Sequence, residues 1–258
     1  MTYLDTIILS IIEGVTEFLP ISSTGHLILA SSLLKLPKTE FLKSFEIIIQ
    51  LGAILAVVVL YWRTITRHFR LVTKVAIAFL PTMVVGFTLY KIVKKIFLGN
   101  EYIVVWSLLL GGILLILFEY LHKEKETATG EMSAITNKQA LLIGLAQSVA
   151  VVPGISRAAA TIVGGLILGL KRKTIVEFSF LLAIPTMAAA TALDLIKSAP
   201  SFQSSDFGFL TLGLVVSFAV ALLTIKFLLT FIRSHTFIGF GIYRILLAIA
   251  FLLFYHRP

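Results

Sequence analysis

The sequence predicts an all-α, polytopic integral membrane bundle: an inverted-topology repeat with six spans and two re-entrant helical hairpins. Three observations carry this. Of 258 residues, 58% are hydrophobic and only 14% charged, against about 45–50% and about 25% in a soluble domain. Six apolar runs reach the roughly 20 residues that cross a bilayer. Two further apolar stretches are broken by proline and glycine at corresponding places in the two halves.

The first element, residues 4–35, breaks at Pro20-Ile21-Ser22-Ser23-Thr24-Gly25. Each flanking half is too short to cross, and non-helical backbone survives at membrane depth only when buried in protein or lining a wet cavity. A re-entrant hairpin satisfies both conditions. Spans follow at about 44–62, 71–90 and 103–121, separated by basic connectors from Arg63 to Lys74 and from Lys91 to Lys95. A polar stretch from His122 to Lys138 divides the chain almost in half. Residues 138–170 form the second broken element, interrupted at Pro153-Gly154-Ile155-Ser156-Arg157. Spans at 175–196, 208–231 and 237–256 complete the chain.

The halves repeat in spacing. Ser22 lies 23 residues before Phe45, and Ser156 lies 22 before Phe178. FEIIIQLGA from Phe45 then aligns with FSFLLAIPT from Phe178, and Glu17 with Gln147. Each half is one broken hairpin plus three spans. An odd number of spans makes the second half enter from the opposite face, so the two breaks meet near the midplane. We therefore expect a single membrane domain over 1–258, with repeats at about 1–121 and 138–258 joined by loop 122–137.

The formal net charge is +9. Its lysines and arginines sit between apolar runs, a pattern for anionic lipid and not for nucleic acid. Cysteine is absent, which excludes disulfides, a thiol nucleophile and Cys-metal sites. No cleavable signal peptide is expected, since a basic n-region is missing and two glutamates interrupt the first apolar stretch. Residues 63–74, 122–138 and 171–173 hold ten Lys/Arg, against seven in the loops at 35–43, 91–102 and 197–206. The positive-inside rule then places both termini outside.

Several polar residues at membrane depth are candidates for chemistry. Glu13 and Glu17 are four apart and share a helix face. Ionisable groups in a membrane segment are functional-site candidates by default, and a divalent cation such as Mg²⁺ or Ca²⁺ would relieve the repulsion between two carboxylates. Pro20 ends one helix, and Ser22 or Ser23 is placed to cap the next. A helix N-terminus is a natural phosphate seat, and Ser22, Ser23 and Thr24 add hydroxyls. His26, one turn in, suits general acid–base work near neutral pH. In the second break, Ser156 and the backbone of 155–157 form a second anion-binding helix start. Arg157 suits bidentate phosphate binding. Glu46, Gln50, Gln147, Glu177, Ser179 and Asp194 are weaker candidates. Glu177 and Asp194 read as solvated span ends, and Tyr243-Arg244 as an interface anchor. The ligand that fits the sum is a phosphate or diphosphate on a lipid tail, and a hydroxyl near a histidine and a metal suggests phosphoryl transfer.

EGVTEFLPISSTGH at 13–26 and PGISR at 153–157 closely resemble the signatures E-G-x-T-E-F-L-P-x-S-S-T-G-H and P-G-x-S-R of undecaprenyl-diphosphate phosphatases of the bacitracin-resistance (BacA) type. EFSFLLAIP at 177–185 and ATALDLIKS at 190–198 are also similar, so the resemblance spans essentially the whole chain. It implies a hydrolase of the bacterial plasma (inner) membrane that converts undecaprenyl diphosphate to the monophosphate and inorganic phosphate. That reaction recycles the carrier lipid of cell-wall peptidoglycan synthesis and confers bacitracin resistance. It further implies divalent-metal dependence, an outward-facing site and two re-entrant hairpins. Membrane lipids are expected partners, and a homodimer is one candidate assembly that the sequence leaves open. By the resemblance, Glu13 and Glu17 serve metal and diphosphate, Ser23 is the nucleophile candidate and His26 its proton-transfer partner. Ser22, Thr24 and Gly25 hold phosphate oxygens, and Ser156 and Arg157 clamp the diphosphate with Thr161 nearby. Water activated by His26 is the alternative nucleophile. One departure stands out: Ala158-Ala159 replace the Ser-Gly that usually follows the second motif. A rival from another class is a transporter that flips a polyprenyl phosphate through the same site, since broken inverted repeats also build transporters.

Overall fold

The computed structural model describes residues 1–92, 100–198, 202–204 and 206–255. The connector residues Lys94 and Lys95, and the end of the last expected span at 256, lie outside them. Helix α1 (Tyr3–Thr16) and α2 (Ser23–Leu33) form the first hairpin. Helices α3 (Glu40–Arg67), α4 (Phe69–Ile92) and α5 (Glu101–Leu121) follow. The second hairpin is α6 (Asn137–Ser148), with a short 3₁₀ extension, and α7 (Arg157–Ile167). Helices α8 (Arg172–Ser198), α9 (Asp206–Phe231) and α10 (Ile238–Tyr255) complete the chain. The protein is thus an all-helical, polytopic membrane bundle. Helices α3, α4, α5, α8 and α9 are long and apolar enough to cross a bilayer, and α10 is a shorter apolar helix.

Each predicted element is present, and most outrun their predicted bounds. Hydropathy sees only the apolar centre, whereas polar caps carry the helix further. The 28 residues of α3 reach about 42 Å at 1.5 Å per residue, beyond a hydrocarbon core of about 30 Å. Thr39 caps its start through the Leu42 N–H, five residues before the apolar run. Pro81 and Pro185 sit inside α4 and α8, where membrane helices tolerate proline.

The two hairpins are built alike. Each opens on a capping box, Thr2 with Asp5 and Thr136 with Gln139. Each re-enters through a serine N-cap at positive φ: Ser22 at 73° and Ser156 at 78°. Their side chains accept from the N–H groups of Gly25 and Ala159, the cap that the serines predict. Packing is reciprocal between the halves. Helix α1 lies on α9 and α6 on α4; α3 packs on α9 and α8 on α4; α3 also meets α8, and α5 meets α10.

Lipid offers no hydrophobic drive for helices to associate, so close approach and interhelical hydrogen bonds must supply it. A β-carbon at Gly144 of α6 would strike the Ala78 carbonyl of α4, which shows how closely those backbones approach. Ser217 of α9 donates to the Ile49 carbonyl of α3 at 2.8 Å. The outward stripe Leu110, Leu114 and Leu117 of α5 is exposed, as befits a face that lipid covers. At one end, Arg172 pairs with Glu119 at 2.5 Å and lies over the Phe237 ring, tying α5, α8 and α10 together.

Candidate active site

The two turns meet beside a cavity of about 490 Å³ bounded mainly by α3, α4, α8 and both hairpins. Its wall is largely apolar, with Phe79, Met83, Phe87, Val151 and Met187. Polar residues gather where the turns converge: Glu17, Ser22, Ser23, Thr24, Ser156 and Arg157. Lys43 and Asp194 stand further along the lining.

Glu17 is the hub. It is the C-cap of α1, and its Oε2 accepts a hydrogen bond from Ser23 Oγ across the first turn. Its Oε1 accepts from Arg157 of the second hairpin, from Nη2 at 3.0 Å and Nε at 3.3 Å. The composite site expected from two remote motifs is therefore assembled. The arginine fork grips Glu17, however, where the sequence suggested a bidentate hold on phosphate. A partly buried guanidinium needs a carboxylate more urgently than a free ligand does. Nη1 of Arg157 donates to the Ser179 carbonyl at 2.8 Å and to its hydroxyl at 3.3 Å. These bonds leave one N–H on Nη2 unused.

Glu13, one turn before Glu17, is fully buried, and neither carboxylate oxygen has a hydrogen-bond partner. It lies behind the cavity wall and not in it. Among the described residues no group of three or more His, Asp or Glu is placed to hold a metal ion. Mg²⁺, however, is usually held by one or two carboxylates plus substrate phosphate. A buried carboxylate with two orphaned oxygens beside Glu17 fits that pattern.

His26 has both ring nitrogens engaged. Nδ1 meets the Ser22 carbonyl at 2.7 Å and Nε2 the Tyr243 hydroxyl at 2.9 Å, and the two rings stack 5.5 Å apart. The hydroxyl of Ser23 turns to Glu17 and not to His26. Gly25 is buried under the Ser22 cap, while Thr24 lines the cavity. Thr161 also departs from its expected place near phosphate. It is fully buried and donates to the Arg157 carbonyl at 2.8 Å and to Gln147 Oε1 at 3.2 Å. The intrahelical carbonyl four residues back is the nearest acceptor for a threonine on a helix.

Gln147, the counterpart of Glu17, donates to Thr82 at 2.8 Å and Thr186 at 3.2 Å, each the residue after a helix-interior proline. Ala158 and Ala159 are buried, so the missing hydroxyl of the second motif opens no gap at the cavity. Glu46 accepts from Ser31 at 2.6 Å and Glu177 stands 4.0 Å from Lys173, which suits a solvated span end. Asp194 is different: it is only 3% exposed and lines the cavity.

Tyr243-Arg244 is the clearest correction. Arg244 is fully buried, not at an interface, and donates only to backbone carbonyls. Tyr243 holds His26. The available signal was a charge inside an apolar run, the default mark of function; its place near the start of the span disguised it.

The family model described as "Bacitracin resistance protein BacA" matches residues 6–250. An undecaprenyl-diphosphatase of Sulfurihydrogenibium sp. is 54% identical over 255 residues, 99% of this chain and 100% of that protein. Those of Aquifex aeolicus, at 49% over 99% of each chain, and Campylobacter jejuni, at 47% over 99% of this chain and 96% of theirs, are similar throughout.

Proposed function

Since the chain belongs to the bacitracin resistance protein BacA family, we propose that it hydrolyses undecaprenyl diphosphate to undecaprenyl phosphate and inorganic phosphate. The observation that carries this reading is the Ser23–Glu17–Arg157 chain of hydrogen bonds, drawn from two hairpins into the polar end of an apolar cavity. The diphosphate sits at the starts of α2 and α7, where free N–H groups and helix dipoles favour an anion, and the first isoprene units lie along Met83, Phe87 and Met187.

Ser23 Oγ attacks the terminal phosphorus while Glu17 takes its proton. The bond from phosphorus to the bridging oxygen breaks, and undecaprenyl phosphate departs. Glu17 passes that proton to the departing undecaprenyl phosphate; it then takes a proton from the water that attacks the phosphoserine and returns it to Ser23 Oγ as phosphate leaves. Arg157 orients Glu17, and its remaining N–H faces developing charge on the phosphoryl oxygens. His26 holds the Ser22 carbonyl and so fixes the turn that carries Ser23. Glu13 and Glu17 would hold the divalent cation, Mg²⁺ or Ca²⁺, which neutralises diphosphate charge when bound.

Loop charge supports a site that faces outward, in the bacterial plasma membrane that the family implies. Lys43 and Asp194 line the cavity near the helix ends that carry the less basic loops, the outer side by the positive-inside rule. The reciprocal helix pairing supports repeats at about 1–121 and 138–258. The test is phosphate release by the purified protein in detergent micelles with undecaprenyl diphosphate. Release with Mg²⁺ or Ca²⁺, ended by chelator, is expected. A flippase acting between two compartments gives none.

A further inference from the structure

The two halves of the site approach each other only through their turns, and turns have carbonyls without helical partners. Arg244 of α10 supplies donors to both. Nη1 donates to the Pro20 carbonyl at 3.3 Å and the Ile155 carbonyl at 3.1 Å. Nη2 donates to the Gly154 carbonyl at 2.9 Å and the Ser107 carbonyl at 3.0 Å, and Nε to the Leu108 carbonyl at 3.4 Å. One buried guanidinium therefore joins the first turn, the second turn and α5. Among the described residues no carboxylate pairs with it. A charge this deep is retained only if its donors are all used, and the flat five-donor fork is what lets one side chain span three segments.

The acceptors stand close to the reacting groups in sequence. Pro20 is three residues before Ser23, and Gly154 three before Arg157. Between them lie Ser22 and Ser156, both at positive φ, a conformation that persists only when its surroundings over-determine it. The neighbouring Tyr243 holds the first turn again through His26 and the Ser22 carbonyl. Access to α5 depends on Gly111, where a β-carbon would meet the Arg244 guanidinium.

We propose that Arg244 is a positioning residue that sets the relative placement of Ser23 and Arg157 by holding the carbonyls of both re-entrant turns from α10. The inference rests on the phosphatase reading for its kinetic consequence but not for its structural one. Binding energy at the helix starts survives a small displacement of the turns, whereas in-line attack does not. Loss of the latch therefore lowers kcat and leaves KM nearly unchanged.

The test uses the full chain in micelles with undecaprenyl diphosphate, comparing wild type with Arg244→Lys, Arg244→Ala and Gly111→Ala. Arg244→Lys and Gly111→Ala are expected to lower kcat at least 30-fold with KM within about threefold, and added guanidinium ion to restore Arg244→Ala at least tenfold where ammonium does not. Gly111→Ala keeps every latch residue and displaces only a side-chain tip, so it tests the idea even if Arg244→Ala fails to fold. Hydrogen exchange of residues 20–25 and 153–158 is expected to accelerate in both milder variants. Folded Gly111→Ala and Arg244→Lys proteins with wild-type kcat and wild-type exchange overturn the proposal. If wild type releases no phosphate, the phosphatase reading fails, and the exchange result alone decides the latch.

Discussion

At the residue scale, Glu17 does the work of three groups. It accepts a hydrogen bond from Ser23, anchors Arg157 and lies one helical turn from Glu13. Glu17→Gln keeps the shape and removes the charge. We expect phosphate release to fall at least 100-fold, within the usual range for a lost general base. Ser23→Ala should lose as much and should abolish any phosphoserine trapped by acid quench. Near-normal turnover of Ser23→Ala would transfer the attack to water. Glu13 predicts a different signature. With both oxygens unpartnered, Glu13→Gln should raise the Mg²⁺ or Ca²⁺ concentration for half-maximal activity by about tenfold or more, as losses at metal sites commonly do, with the protein no less stable to heat.

At the element scale, the turns decide the outcome. Gly154 has φ of 95°, and a β-carbon there would lie 2.7 Å from the Val104 carbonyl and 2.6 Å from the Ser107 β-carbon. Gly154→Ala should cost about 1–3 kcal/mol through strain and contact, read as a lower melting temperature, and should reduce activity by moving Arg157. The helices, the breaks and the serine caps were legible beforehand because hydropathy, proline, glycine and hydroxyl residues act locally. Partnerships over long separations were not. Nothing near Arg157 announces that its fork faces Glu17, 140 positions away, and nothing near Arg244 announces carbonyls on three segments. Asp194 was misread because a window judges distance from a span end, whereas burial depends on which neighbour covers that turn.

At the scale of the whole molecule, reciprocal packing brings two dissimilar turns together. The first supplies a carboxylate and hydroxyls, the second a guanidinium. The cavity wall runs from this polar end to residues such as Met83 and Phe87, both exposed. Met83→Trp should crowd the first isoprene units and raise KM about tenfold with kcat held, the equivalent of about 1.4 kcal/mol of lost tail burial. A short-chain diphosphate should feel the change less.

The union of the halves is tested most directly by phosphate release from undecaprenyl diphosphate in a double-mutant cycle of Glu17→Gln and Arg157→Ala. Residues that act as one unit are strongly non-additive. Each single variant should lose at least 100-fold in kcat/KM, and the double variant little more than either alone. Multiplicative losses, or a single variant within threefold of wild type, would contradict a shared site.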